Sequence, residues 1–164
     1  MLIIAHRGAN RFAPQNTLHA FKKAADLNSD GVETDVHLTK DGQLVLCHNN
    51  TVNKTSNGKG KISEMSLKEL RNFDFGSWFG NKFKDTLIPT LDEFLHLMKD
   101  TAVSVLNIEL KPQKNGNTDF VEKVIKKAKS FGVEDKLFIS SFDSGILNKV
   151  KEIDSSIKTG YLYP

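Results

Sequence analysis

The sequence predicts an α/β fold with parallel strands, on three observations. Short apolar runs alternate with amphipathic helical patterns over much of the chain, the order produced when crossover helices join parallel strands. The runs are rich in Val, Ile, Leu and Thr, which suit a pleated sheet. Ionisable residues collect where the runs end, and parallel α/β enzymes place their sites at the C-terminal ends of strands.

Leu2–Ala5 is the first apolar run and ends at His6-Arg7-Gly8, a strand followed by a turn. Asn16 and Thr17 offer caps for a helix through about Leu27, with Leu18, Phe21 and Ala25 on one face. Gly31–Thr39 is the second strand. Glu33 and Asp35 share one of its faces, and Val32, Thr34 and Val36 share the other. Lys40-Asp41-Gly42-Gln43 is a turn with Asp-Gly at its centre. Leu44–His48 is a continuous apolar run ending in histidine, expected as a third strand buried on both faces.

A polar, turn-rich segment follows. Ser66-x-x-Glu69 and Thr90-x-x-Glu93 each have the spacing of a capping box and each starts a helix. Between them Phe73, Phe75, Trp78, Phe79 and Phe83 form an aromatic-dense loop, read as a packed lid or as a satellite cluster. Val103–Lys111 is a strand stopped by Pro112. Asp119–Phe131 is a helix with Phe120, Val124, Ala128 and Phe131 at helical spacing. A strand over Leu137–Phe142, a helix capped by Asp143 or Ser144, and a strand over Thr159–Tyr163 complete six strand candidates.

Composition narrows the function. The 164 residues suit a single domain, 38% of them hydrophobic. Lys and Arg number 23 against 20 Asp and Glu, too balanced for a nucleic-acid partner. The nearest basic group, Lys123, Lys126, Lys127 and Lys129, reads as a solvated helix face. The single cysteine, Cys47, allows no internal disulfide. No apolar stretch reaches the length of a membrane span, so no stable membrane insertion is expected. The start lacks a basic, long-apolar leader, and a cytoplasmic location is the expectation.

Four strand ends supply the candidate chemistry: His6-Arg7, Glu33 with Asp35, His48, and Glu109 with Lys111. Two like charges on one strand face repel. They fit either an acidic solvent face or a pair of oxygen ligands for one divalent cation. With Glu109 added, three carboxylates suit Mg²⁺ or Ca²⁺ better than zinc. His6 and His48 make an acid and base pair, since unperturbed imidazole titrates near neutrality; Arg7 and Lys111 can hold a phosphate. The set describes metal-assisted phosphoryl transfer. His37 shares the face of Glu33 and Asp35, as a further ligand or as a histidine packed at the strand end.

These residues lie in an ordered series of motifs: His6-Arg7-Gly8, Pro14-Gln15-Asn16-Thr17, Gly31-x-Glu33-x-Asp35-Val36-x-Leu38-Thr39-x-Asp41-Gly42, His48, Ile88-Pro89-Thr90-Leu91-x-Glu93 and Asn107-Ile108-Glu109-Leu110-Lys111. The series resembles the glycerophosphodiester phosphodiesterase family over essentially the whole chain. The resemblance implies a (β/α)₈ TIM-type barrel with a small insertion after the third strand, about residues 50–88. It implies a divalent cation held by Glu33, Asp35 and Glu109, acid/base roles for His6 and His48, and phosphate contacts from Arg7 and Lys111. The implied reaction hydrolyses a small-molecule glycerophosphodiester to glycerol 3-phosphate and an alcohol. His6 would assist attack of the glycerol hydroxyl on phosphorus, His48 would protonate the leaving alcohol, and water would open a cyclic phosphate. Gln15 and Asn49 stand where the family usually has Glu and Asp.

A complete barrel of this type needs about 250 residues. The fold is therefore expected to be truncated after about six strands, leaving open edges. Either the chain is the N-terminal portion of a longer protein, which is the favoured reading, or a homodimer covers the edges. A phospholipase-type phosphodiesterase and a catalytically weak or inactive, metal- or ligand-binding relative are the competing functions.

Overall fold

The computed structural model describes residues 1–113 and 118–163. Its sheet has six strands: β1 Ile4–Ala5, β2 Gly31–Leu38, β3 Leu44–Leu46, β4 Val105–Leu110, β5 Leu137–Ser141 and β6 Lys158–Tyr161. Five of them, β1-β2-β4-β5-β6, are parallel and lie side by side in chain order. Each new strand is added to the same edge, the order of a (β/α) barrel. A doubly wound sheet reverses direction at a switch point instead.

The third strand departs from expectation. β3 pairs antiparallel with β2, Val36 opposite Leu46 and Leu38 opposite Leu44, and lies off the main path. It is the second arm of a hairpin turned at Asp41-Gly42, where Gly42 has φ 76°. Its apolar run is buried on both faces because the barrel wall covers one side and the insertion the other. Among the described residues the parallel staves therefore number five of a closed barrel's eight, the sixth strand being the hairpin arm.

The helices are α1 Leu18–Asp26, α2 Leu67–Leu70, α3 Leu91–Met98, α4 Asp119–Ser130 and α5 Ser144–Ile153. Local chemistry sets their starts. Thr17 accepts from Ala20 N at α1, both capping boxes form at α2 and α3, and Asp143 accepts from Gly145 N at α5. Successive helices α1, α3, α4 and α5 pack against one another along the outside of the sheet. The main core lies between these layers. Val32, Val36, Leu106, Ile108, Leu110 and Ile139 from the strands meet Phe21, Phe94, Leu95, Val124 and Ile146 from the helices. Because side chains alternate along a strand, the opposite face carries Glu33, Asp35, His37, Asn107, Glu109 and Ser140. The apolar core is thus what turns the carboxylates inward.

The segment between β3 and α3 has its own core of Cys47, Val52, Ile62, Leu70, Phe75 and Ile88, joined by Val45 of β3. Phe83 packs separately with Ala13 and Ala20. The aromatic loop is therefore a pair of satellite clusters. Trp78 is 44% exposed, its Nε1 donating to Phe75 O. The lysines of α4 are spent on neighbours: Lys126 on Glu122, Lys127 on Asp92, Lys129 on Asp154 and Lys123 on Gly42 O. No helix among the described residues is long and apolar enough to cross a membrane. Leu2 and Ile3, beside the β1 edge, are 62% and 64% exposed, as apolar residues at an open barrel edge would be.

Candidate active site

The register of β2 and β4 assembles the acids. Asp35 is the direct partner of Glu109 and Glu33 of Asn107, so three carboxylates from two adjacent strands converge. One ligand atom from each of Glu33, Asp35 and Glu109 lies within 4.8 Å of the others, and all three residues are buried.

Two fixed cations face the three acids. Lys111 Nζ is 2.7 Å from Asp35 Oδ1 and also contacts Glu109 Oε1. Arg7 Nε is 3.7 Å from Asp35 Oδ2, and Arg7 Nη1 donates to Gln15 Oε1 at 2.7 Å. The charges do not balance, and Glu33 carries the consequence. Burial first, and then the Asp35 charge, push its carboxyl up to about 8. Burial also raises Glu109. At Asp35 the burial penalty is outweighed by Lys111 and by the hydrogen bond from Asn16, which together hold it below the usual carboxylate range.

The residues present fit a divalent cation. Among the described residues, Glu33 Oε1 is buried without a hydrogen-bond partner, and the buried Asp35 Oδ1 has Lys111 Nζ, at 2.7 Å, as its one close polar neighbour. A buried carboxylate oxygen left without a donor, in an all-carboxylate set, is the kind of ligand a hard cation takes. Glu33, Asp35 and Glu109 could each offer one oxygen to it.

The histidines flank this group. His6 follows β1, is 64% exposed on its side chain, and has Nε2 3.8 Å from Glu33 Oε2. Partial burial, with Arg7 beside it, keeps its imidazole below the ordinary pKa and so neutral at pH 7. His48 follows β3, and its Nδ1 donates to Asn49 Oδ1 at 2.9 Å, which leaves Nε2 to exchange a proton. The charge of a protonated His48 would be felt at both His6 and Asp35. All seven candidate residues, His6, Arg7, Glu33, Asp35, His48, Glu109 and Lys111, thus gather at one end of the sheet.

His37 and the remaining histidines, with Cys47 and Ser141, stand apart from the acids. His37 is buried, with Nε2 donating to His48 O at 3.4 Å, and burial takes its pKa down to about 4. It stays neutral at physiological pH and stands outside the carboxylate group. Cys47 is buried, and burial pushes its thiol up to about 11, which makes it inert. Ser141 donates to Leu110 O at 2.8 Å, and its own Oγ accepts from Asp143 N. His19 and His96 stack edge-on against Phe83 and Phe131.

Two features were not foreseen. Lys111 engages the carboxylates themselves, where a phosphate contact was expected. Asn16, expected as a helix cap, is 3% exposed and donates from Nδ2 to Asp35 Oδ2 at 2.8 Å. Nothing in residue order separates this role from a cap. The structure shows it through the left-handed backbone of Asn16, φ 55°, which Asn tolerates far better than most residues.

Comparison with known proteins gives a consistent result. The profile of the Glycerophosphoryl diester phosphodiesterase family matches residues 6–163. A glycerophosphodiester phosphodiesterase of Caldanaerobacter subterraneus subsp. tengcongensis is 43% identical over 162 residues, covering 99% of this chain and 66% of the relative. Among solved structures, a phosphodiesterase from Oleispira antarctica in complex with the product sn-glycerol-3-phosphate superposes with TM-score 0.92 at 33% identity, covering 98% of this chain and 65% of that one. A glycerophosphodiester phosphodiesterase from Agrobacterium tumefaciens superposes with TM-score 0.87 at 31% identity, covering 97% and 65%. The chain spans just under two thirds of the length of these relatives. With the motif series, the barrel order of its strands and the profile match in agreement, the chain belongs to the glycerophosphoryl diester phosphodiesterase family.

Proposed function

We propose that this chain is the N-terminal, chemistry-bearing portion of a single barrel domain that hydrolyses glycerophosphodiesters to glycerol 3-phosphate and an alcohol. The observation that carries the reading is the meeting of three buried carboxylates, Glu33 with an unpartnered oxygen, with two histidines and two cations at the strand ends. The product bound in the Oleispira antarctica phosphodiesterase supports glycerol 3-phosphate as the product here.

Glu33, Asp35 and Glu109 would hold the divalent cation, Mg²⁺ or Ca²⁺, which when bound supplies positive charge for the phosphoryl oxygens. His6, neutral and reachable from solvent, takes the proton from a glycerol hydroxyl as that oxygen bonds to phosphorus. The bond from phosphorus to the head-group oxygen breaks, and His48 donates a proton to that oxygen from Nε2. Water then opens the cyclic phosphate with the proton flow reversed. Arg7 offers its guanidinium to the phosphate. Two donors of Lys111 are engaged by Asp35 and Glu109, which leaves one for a phosphate oxygen. Gln15 holds Arg7 through a neutral oxygen and Asn49 orients His48, so both positions keep a hydrogen-bonding role without the family's usual charge.

The test is release of glycerol 3-phosphate from glycerophosphocholine and glycerophosphoethanolamine by the protein's full chain. Turnover lost with a chelator and restored by Mg²⁺ or Ca²⁺ is expected. Metal binding without turnover would instead identify a binding-only relative.

A further inference from the structure

The loop between β1 and α1 contains two residues in left-handed backbone conformation, Arg7 with φ 59° and Asn16 with φ 55°. Only Gly adopts that region freely, and holding other residues there requires support from the surroundings. The two are joined to each other, Asn16 N donating to Arg7 O at 3.0 Å. Each also reaches one carboxylate of β2. Arg7 N donates to Glu33 Oε2 at 2.9 Å, and Asn16 Nδ2 donates to Asp35 Oδ2 at 2.8 Å.

The opposite oxygens face away from the loop. Glu33 Oε1 is buried without a hydrogen-bond partner, and Asp35 Oδ1 meets only the Lys111 ammonium, at 2.7 Å. Each carboxylate is thus tied by one oxygen to the loop and presents the other. The Asn16 amide is itself locked, because its Oδ1 accepts from Thr34 Oγ1 at 2.8 Å and from Asp35 N at 3.3 Å. With both acceptor positions filled, the amide cannot turn over without breaking two bonds, and its N–H must face Asp35.

We infer that Asn16 is a positioning residue for the divalent cation: it fixes which oxygen of Asp35 is presented, and Thr34 fixes Asn16. The inference rests on the proposed cation site. Partners that orient metal ligands are commonly worth 10–100-fold in metal affinity, which sets the expected size here.

Asn16→Gly tests this without straining the backbone, since Gly accepts the left-handed conformation and loses only the amide. Mg²⁺ and Ca²⁺ binding to the full chain is measured by titration calorimetry, beside kcat as a function of metal concentration. The expected result is a roughly 10–100-fold weaker Kd, with kcat recovering near wild type at saturating metal. Thr34→Val leaves Asn16 and every carboxylate in place, and is expected to weaken the metal in the same direction by a smaller factor. It carries the test if the glycine variant does not fold. A merely structural Asn16 would lower Tm equally with and without metal and leave Kd unchanged, and unchanged Kd in the folded variants overturns the inference. Failure of the wild type to bind either metal overturns the cation site itself, a distinct outcome.

Discussion

Asp35 and Glu109 are register partners across β2 and β4, and the Lys111 ammonium lies against both carboxylates. Lys111 therefore compensates the same charge a divalent cation would. In Lys111→Met two buried acids lose their counter-charge, which costs about 3 kcal/mol in the metal-free protein. Saturating Mg²⁺ should recover part of that loss, because a ligand bound only by the folded state stabilises it. Urea unfolding with chelator and with Mg²⁺ measures both. An equal loss in the two conditions would show that Lys111 and the metal do not share these acids.

Glu33 makes the metal-free protein sensitive to alkali. Its carboxyl titrates near 8 when folded, with burial the main cause, against an ordinary 4.5 when unfolded. Between these values the folded state holds a proton that the unfolded state has released. The associated stability is complete below about pH 4.5 and lost as pH rises through 8. Glu33→Gln removes the titration, so its stability relative to wild type in chelator should improve by on the order of 3 kcal/mol across this window. With saturating metal the order reverses, since wild type alone keeps the full ligand set. Chemical denaturation at pH 5 and pH 9 decides it, and a pH-independent difference would exclude a raised Glu33.

The two histidines should separate chemistry from binding. His6→Ala and His48→Ala are each expected to lower kcat by about 10²–10⁴-fold, the usual worth of a general acid or base. Neither should change metal affinity, since neither is a proposed ligand. Calorimetry beside glycerol 3-phosphate release tests this. Loss of metal binding in His6→Ala would move that residue from proton transfer into the metal site.

Gly31 lies where β1, β2 and β4 come together, paired with Ile4 on one side and Val105 on the other. A Cβ there would stand 2.4 Å from Ile4 Cδ1 and 2.9 Å from both Val105 Cβ and the Val105 carbonyl oxygen. Gly31→Ala should therefore cost about 1–3 kcal/mol, the typical cost of overpacking. The midpoint of urea denaturation reads it directly. A neutral result would mean that β1 can move away from β2 at little cost.

Much of this site could be read from residue order. Glu33 and Asp35 declare a shared face by parity, and the apolar identity of Val32 and Val36 says which face is turned to the helices. The capping boxes at Ser66 and Thr90 are local chemistry and formed as expected. The direction of β3 was harder to read, because Leu44–Leu46 is buried on both faces and such a run looks the same in a parallel sheet and in a hairpin covered by an insertion. Asp41-Gly42 between two apolar runs was the available hairpin signal. The partners of Asn16 and Lys111 were beyond reach. Asn16 looks like a cap wherever it precedes a helix, and which anion a lysine selects depends on distances across strands that residue order does not contain.

The antiparallel course of β3 separates two dimensions of the site. The spacing among Glu33, Asp35 and Glu109 is set by the register of neighbouring staves, which barrel geometry makes rigid. His48 stands instead on the far arm of the Asp41-Gly42 hairpin, a cantilever anchored by three residue pairs to β2 and loaded by the insertion's own small core. Its distance from His6 can therefore drift with changes in that core while the carboxylates stay fixed. A substitution in that core therefore acts on the placement of His48 and leaves the strand register that spaces the three acids untouched.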